Sequence, residues 1–125
     1  MAKIKNILDV FKGMSDITRL RILNLLANRG SICVCDMAKV LEVAQGRLSS
    51  HLKILRSSDM VEDKREGLWI LYSIPQEISP LYDYQIRCIK ETLNSQSPFA
   101  EDIEKFDALK HSGDLAQCKS NRCNS

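Results

Sequence analysis

The chain has 125 residues, of which 44% are hydrophobic, and a formal net charge of +2. This length suits one domain with a single core, and no run reaches the ~20 apolar residues that a membrane span needs. The amino-terminal stretch MAKIKNILDVFKGM is unlike a signal peptide, so we expect a cytoplasmic protein with reduced thiols and no membrane association. Five cysteines are an odd number, which argues against a full disulfide framework and favours metal binding, catalysis or simple burial.

The first half of the chain predicts four helices. Apolar residues recur at helical spacing over residues 3–12. A second and more apolar helix is expected to begin after an N-cap at Ser15 and to end near Gly30. A third begins within the stretch SICVCD. A fourth covers residues 45–58, and its leucines form one stripe that we expect to face the core.

The second half begins with a different pattern. Two β-prone runs flank Glu66 and Gly67, which predicts a hairpin. Two amphipathic helices are expected over residues 81–93 and 99–110, and the final stretch HSGDLAQCKSNRCNS is polar and predicted to be flexible. We therefore divide the chain into a folded domain, residues 1–97, and a carboxy-terminal extension, residues 98–125, with a short helix and a cysteine-containing tail.

The order of these elements is that of a winged helix-turn-helix, a mainly helical fold with a small β-hairpin. In this fold the second helix of the pair enters the DNA major groove and the hairpin lies along the backbone. Gln and Arg suit adenine and guanine edges, whereas basic side chains contact phosphates. The predicted DNA-binding residues are Gln45, Arg47, Ser49, Ser50, His51, Lys53 and Arg56 on the helix, and Lys64 and Arg65 on the hairpin. The alternative is a helical domain whose basic face is merely solvated.

Four stretches of sequence span most of the folded part of the chain: DITRLRILNLL, CVCDMAKVL, SSHLKILRSSDMV and REGLWILYSI. Together they resemble the arsenic-repressor (ArsR/SmtB) family of metal-sensing winged-helix repressors. The resemblance implies a homodimer that leaves operator DNA when a metal or metalloid binds, with residues 3–12 and 81–93 in the dimer interface. This chain departs from the family at Ala38, where the best-known arsenic sensors have a third cysteine, and it lacks the zinc-sensor ligands of the last core helix. His51 is expected to pack or to face a phosphate rather than to bind a metal.

Cys33 and Cys35 stand at the start of the third helix. If Cys33 is the N-cap, the helix N-terminus is expected to lower thiol pKa values and to favour the thiolates that soft ions need. Residues i and i+2 point to nearly opposite sides of a helix, so both sulfurs can bind one ion only if the first turn is unwound. We therefore expect ion binding to distort this helix and to shift the recognition helix.

Trivalent arsenic and antimony are the predicted inducers, with no catalytic cofactor, and they take three thiolates. We favour Cys118 or Cys123 of the tail as the third ligand and keep Cys88, expected to be buried, as the alternative. A divalent cadmium, lead or zinc ion could instead be bound by Cys33, Cys35, Cys118 and Cys123. Two other interpretations of Cys33 and Cys35 remain open: a switch that works by thiol oxidation, and two cysteines that are simply buried in the core. A thiol oxidoreductase is disfavoured because the CxxC spacing and a βαβ unit are missing.

Overall fold

The computed structural model describes the backbone of residues 2–116 and the side chains of residues 6–116. The elements in chain order are the helices α1 (Ala2–Gly13) and α2 (Ile17–Arg29), the strand β1 (Ile32–Cys33), the helices α3 (Val34–Leu41) and α4 (Gln45–Ser57), the strands β2 (Glu62–Glu66) and β3 (Trp69–Ser73), and the helices α5 (Pro80–Leu93) and α6 (Phe99–Ser112). The predicted order of four helices, a hairpin and two further helices is confirmed.

The N-cap of α2 is Asp16, whose carboxylate accepts the backbone N–H of Arg19 at 3.1 Å. The prediction of Ser15 as the cap is therefore wrong. Ser15 instead donates its hydroxyl to the carbonyl of Lys12 at 2.7 Å, at the end of the preceding helix. At the other end of α2, Gly30 takes a φ of 80°, which a residue without a Cβ adopts at little cost.

The sheet has three antiparallel strands in the order β1-β3-β2, rather than a hairpin alone. The predicted hairpin is formed by β2 and β3 on either side of Gly67, which has a φ of 59°. The additional strand, β1, pairs Ile32 with Tyr72 and Cys33 with Leu71. Two residues are too few to show the alternation that predicts a strand. This strand joins the cysteine pair directly to the hairpin.

One hydrophobic core lies among α2, α3, α4 and the base of the hairpin. Its fully buried members include Ile22, Leu23, Leu25, Met37, Leu41, Leu48, Leu52, Leu55 and Met60. The leucine stripe of α4 predicted from the sequence is confirmed as part of this core. Within residues 2–116, no helix combines the length and the hydrophobicity that crossing a membrane requires.

The helix α6 packs against α2 and α3 and adds Phe106 to the same core. Leu115, beyond the end of α6, is only 3% exposed. The prediction that the polar stretch from His111 onward is flexible is therefore wrong as far as residue 116, because one leucine finds a buried position. The division of the chain between residues 97 and 98 stays a prediction.

Candidate functional site

The exposed side of α4 carries most of the predicted DNA-binding residues. Its leucine stripe is buried, so the remaining positions of the helix face outward. The exposed residues are Gln45, Arg47, Ser49, Ser50, Lys53 and Arg56. Three of them are cationic, and α4 contains no acidic residue. This surface therefore offers side chains for base edges and for phosphates.

His51 differs from its neighbours on α4 because it is half-buried. Its Nδ1 lies 3.2 Å from Nη1 of Arg19 and 3.9 Å from a carboxylate oxygen of Asp16. Arg19 also donates to the carbonyls of Gly13 at 3.0 Å and Lys12 at 3.1 Å, at the end of α1. His51 is thus packed against the junction of α1 and α2, and its contact with DNA stays a prediction.

The hairpin carries Lys64 and Arg65, both exposed on β2. The ammonium of Lys64 lies 4.0 Å from Glu66, and Arg56 of α4 forms an ion pair with Asp63 of β2 at 3.3 Å. Both pairs are largely solvent-exposed, and such pairs contribute only about 0–1 kcal/mol. They can therefore open at little cost when a phosphate approaches.

Cys33 is the N-cap of α3, as predicted, and also the last residue of β1. Its side chain is buried, with 1% of its surface exposed, whereas Cys35 is half-buried. Burial raises the pKa of the Cys33 thiol to about 12, and the negative charge of Asp36 acts in the same direction. The expectation that the helix N-terminus lowers this pKa is wrong for Cys33, because loss of hydration outweighs the hydrogen bond from the backbone N–H of Asp36.

The carboxy-terminal end of the described chain docks on the start of α3. The buried carboxylate of Asp36 accepts the backbone N–H of Ala116 at 2.6 Å. One turn later, the ammonium of Lys39 donates to the carbonyl of Asp114 at 2.6 Å. Leu115 lies between these two contacts and is buried. We call residues 114–116 the C-terminal anchor.

No signal in the sequence indicates this anchor. An aspartate in the first turn of a helix is expected for the helix dipole alone. The partner of Asp36 lies 80 residues further along the chain, so local patterns carry no information about it.

Cys88 is exposed on α5. The prediction that it is buried is wrong, because the buried positions of α5 are Tyr82, Ile86 and Ile89, and Cys88 lies off that stripe. Over the part of the chain that the structure describes, no three His, Cys, Asp or Glu side chains are grouped so that they could bind a metal ion. The predicted ligands Cys118 and Cys123 lie outside the described residues.

The outer face of α1 exposes large apolar side chains. Ile7, Leu8 and Phe11 are 43%, 62% and 50% exposed. A neighbouring hollow is lined by Ile7 together with Pro80 and Leu81 at the start of α5. Apolar side chains grouped in this way are typical of a surface that another protein covers.

Comparisons with known proteins agree with this architecture. A family model described as "Bacterial regulatory protein, arsR family" matches residues 16–63. The "Arsenic resistance transcriptional regulator ArsR2" of Pseudomonas putida is 39% identical over 88 residues, which cover 70% of this chain and 76% of that protein. The "Arsenical resistance operon repressor" of Bacillus subtilis is 38% identical over 80 residues, which cover 63% and 76% of the two chains.

Among solved structures, the homodimeric winged helix-turn-helix DNA-binding domain of Mb0332 from Mycobacterium bovis superposes with a TM-score of 0.62 at 28% identity. The match covers 77% of this chain and 89% of that one, which confirms the winged helix-turn-helix fold. The chain therefore belongs to the arsR family of bacterial regulatory proteins and is a transcriptional regulator, not an enzyme.

Proposed function

We propose that this chain is a cytoplasmic repressor that binds operator DNA as a homodimer and is released by trivalent arsenic or antimony bound to cysteine thiolates. The observation that carries this proposal is the position of Cys33. This residue ends β1, which is paired with the hairpin, and it also caps α3, the first helix of the helix-turn-helix. An ion bound at this one residue can therefore affect both DNA-contacting parts of the molecule.

In the DNA complex, α4 lies in the major groove. Arg47 would bind a guanine edge and Gln45 an adenine edge; the exposure of both side chains at the amino-terminal end of the helix supports these roles. Lys53 and Arg56 lie further along α4 and would neutralise phosphates. The exposed cations of β2 would do so on the adjacent backbone.

A homodimer would cover the apolar face of α1 and bring α5 beside its symmetry mate. A twofold axis would then present two recognition helices to a pseudo-palindromic operator. We expect Phe11→Asp to produce monomers in sedimentation experiments, since it places a charge on the proposed interface. Leu68→Asp is the matched control, because Leu68 is 94% exposed on the hairpin turn and should leave the dimer intact. An intact Phe11→Asp dimer would rule out this interface.

The proposed ion ligands are Cys33, Cys35 and one tail cysteine, Cys118 or Cys123, with Cys88 as the alternative. The Cys33 sulfur is buried whereas Cys35 is partly exposed, so one ion can reach both only after a local rearrangement. The first turn of α3 would unwind, or Cys33 would leave its buried position. Either change would loosen the pairing of Cys33 with Leu71 on β3 and move α3 relative to α4.

A DNA-release assay with arsenite, antimonite, cadmium, lead and zinc tests the proposal. Cys35→Ser should bind operator normally and should no longer be released by arsenite, since a hydroxyl is a poor ligand for a soft ion. Cys33→Ala should behave in the same way, since it removes the sulfur from this buried position. Cys88→Ser should respond like the parent if a tail cysteine is the third ligand, whereas loss of its release by arsenite would make Cys88 that ligand.

Three outcomes would contradict the proposal. Release of the Cys35→Ser variant by arsenite would remove this cysteine from the site. Release of the parent by divalent ions but not by arsenite or antimonite would indicate a four-thiolate site for a divalent metal. Release by an oxidant without any ion would indicate a thiol redox switch.

A further inference from the structure

We propose that α6 and the C-terminal anchor together clamp α3, oppose the unwinding of this helix, and so set the inducer concentration at which the protein releases DNA. We call α6 and residues 114–116 the α3 clamp. This inference rests on the proposed function, in which one ion binds both Cys33 and Cys35. All contacts of the clamp lie within residues 21–116, where the structure describes every side chain.

The first set of contacts holds the start of α3. Asp36, in the first turn, is 0% exposed, and its carboxylate accepts the backbone N–H of Ala116 at 2.6 Å. Lys39, one turn later, donates to the carbonyl of Asp114 at 2.6 Å, and Leu115 between these two bonds is 3% exposed. A hydrogen bond to a buried carboxylate is stronger than a bond between neutral groups. The bond to Asp36 is therefore the main one at this end.

The second set of contacts holds the end of α3. Arg21 of α2 donates to the carbonyl of Leu41, the last residue of α3, at 3.0 Å. The same guanidinium donates two bonds to Asp102 of α6, at 2.9 and 2.7 Å. Further along α6, Lys105 forms an ion pair at 3.1 Å with Glu42, the C-cap of α3. The α3 clamp thus holds both ends of the helix, one beside the cysteines and the other next to the recognition helix.

The first turn of α3 depends on such contacts because the helix is short. It has 8 residues, fewer than the roughly 12–15 that an isolated helix needs in water. Its fully buried apolar residues, Met37, Val40 and Leu41, all follow Asp36, so burial of apolar surface holds mainly the later turns. The first turn relies more on the anchor and on the pairing of β1 with β3.

Ion binding and docking of the anchor exclude each other. Cys33 caps α3, and Cys35 and Asp36 lie in its first turn, so Asp36 moves with the cysteines when that turn unwinds. The bond from Ala116 is lost in that movement. The open form of α3, in which both sulfurs reach one ion, is therefore a minor state that the α3 clamp makes rarer. Because the apparent affinity for an ion falls with the fraction of protein in the competent state, the clamp raises the inducer concentration that release requires.

Equilibrium binding of arsenite to the full-length protein, followed by the arsenic–thiolate absorption, tests the clamp. Ala116→Pro removes the backbone N–H that Asp36 accepts and keeps all five cysteines. It should bind arsenite more tightly, on the order of tenfold, since a bond to a charged group is lost from the closed form alone. Ala116→Gly keeps the N–H and is the matched control, which should bind like the parent. Unchanged or weaker binding by Ala116→Pro would overturn the inference.

Two milder variants test the rest of the anchor. Lys39→Ala removes an exposed donor, and Leu115→Ala shortens a buried side chain. Each should bind arsenite several-fold more tightly than the parent. Lys90→Ala, an exposed lysine on α5, is the control and should bind like the parent. Because Lys39 is exposed, its substitution leaves the core intact and tests the clamp even if proline at position 116 impairs folding. Unchanged or weaker binding in both variants would overturn the inference.

Hydrogen exchange of backbone amides tests the same coupling directly. In the ion-free protein, the amides of α3 should exchange faster in Ala116→Pro than in Ala116→Gly, because the start of the helix opens more often. In the parent, saturation with arsenite should speed exchange of the Ala116 amide, since its acceptor on Asp36 moves away. An Ala116 amide that stays protected in the arsenite complex would overturn the inference while the proposed function stands. Failure of the parent to bind arsenite at all would instead refute the proposed function.

Discussion

Removal of the carboxylate of Asp102 should destabilise the whole fold. Asp102 accepts two hydrogen bonds from the guanidinium of Arg21, at 2.9 Å to Nε and 2.7 Å to Nη2. The two side chains are 4% and 19% exposed. Loss of one partner of a buried ion pair costs about 3–5 kcal/mol, because the other charge is left without compensation. Arg21 keeps a bond to the carbonyl of Leu41 at 3.0 Å, so we expect the lower end, about 3 kcal/mol, for Asp102→Ala.

The same helix provides a matched control, because Asp107 forms a bidentate pair with Arg29 at 2.7 Å for both bonds. The side chain of Asp107 is 53% exposed, so Asp107→Ala should cost only about 0.2–1 kcal/mol. The bond from Arg29 lowers the pKa of Asp107. Its contribution is therefore present above the usual carboxyl pKa and lost as the pH falls through the lowered value. The difference in free energy of unfolding between the parent and Asp107→Ala should vanish in acid.

Urea unfolding at pH 7 and a fixed protein concentration measures both free energies, since the stability of a dimer depends on concentration. The double variant Arg21→Met/Asp102→Leu should recover most of the loss, because apolar residues can replace a buried ion pair. If Asp102→Ala lowers the free energy of unfolding by no more than Asp107→Ala does, burial does not set the strength of the Arg21–Asp102 pair. In that case α6 is held to the core mainly by its apolar contacts, such as those of Phe106, rather than by this ion pair.

Four further substitutions test other contacts. Tyr82→Phe should cost about 1 kcal/mol in urea unfolding, since the buried hydroxyl donates to the carbonyl of Met60 at 2.6 Å. Gly13→Ala should cost about 1–3 kcal/mol in the same assay, because a Cβ would collide with the side chain of Met60; a gain in stability would refute this. Arg47→Ala should reduce preference at one base pair by about 1–3 kcal/mol in operator titrations. Lys53→Ala should weaken binding to all DNA sequences alike and make that binding less dependent on salt concentration.

Local periodicity explains what could be predicted from the sequence. The leucine stripe of α4 repeats at helical spacing, so its buried face and its exposed basic residues follow from the pattern alone. Strand β1 could not be predicted, because it consists of two residues that owe their conformation to pairing with β3. The high pKa of Cys33 and the bond from Ala116 to Asp36 also depend on segments that are distant in the chain. The prediction that Cys88 is buried is wrong because a single small residue beside an apolar stripe does not show which side of the helix it occupies.

The contacts of Arg19 bear on the spacing between the two half-sites of the operator. Its guanidinium bonds the final carbonyls of α1 and contacts His51 on α4, so it fixes the recognition helix relative to the helix on the proposed dimer axis. In a twofold dimer, that angle and distance determine how far apart along the duplex the two major-groove contacts fall. A stiff connection would make the protein intolerant of base pairs inserted between the half-sites. We expect Arg19→Ala to bind operators with altered spacing almost as well as the natural one, at a lower overall affinity.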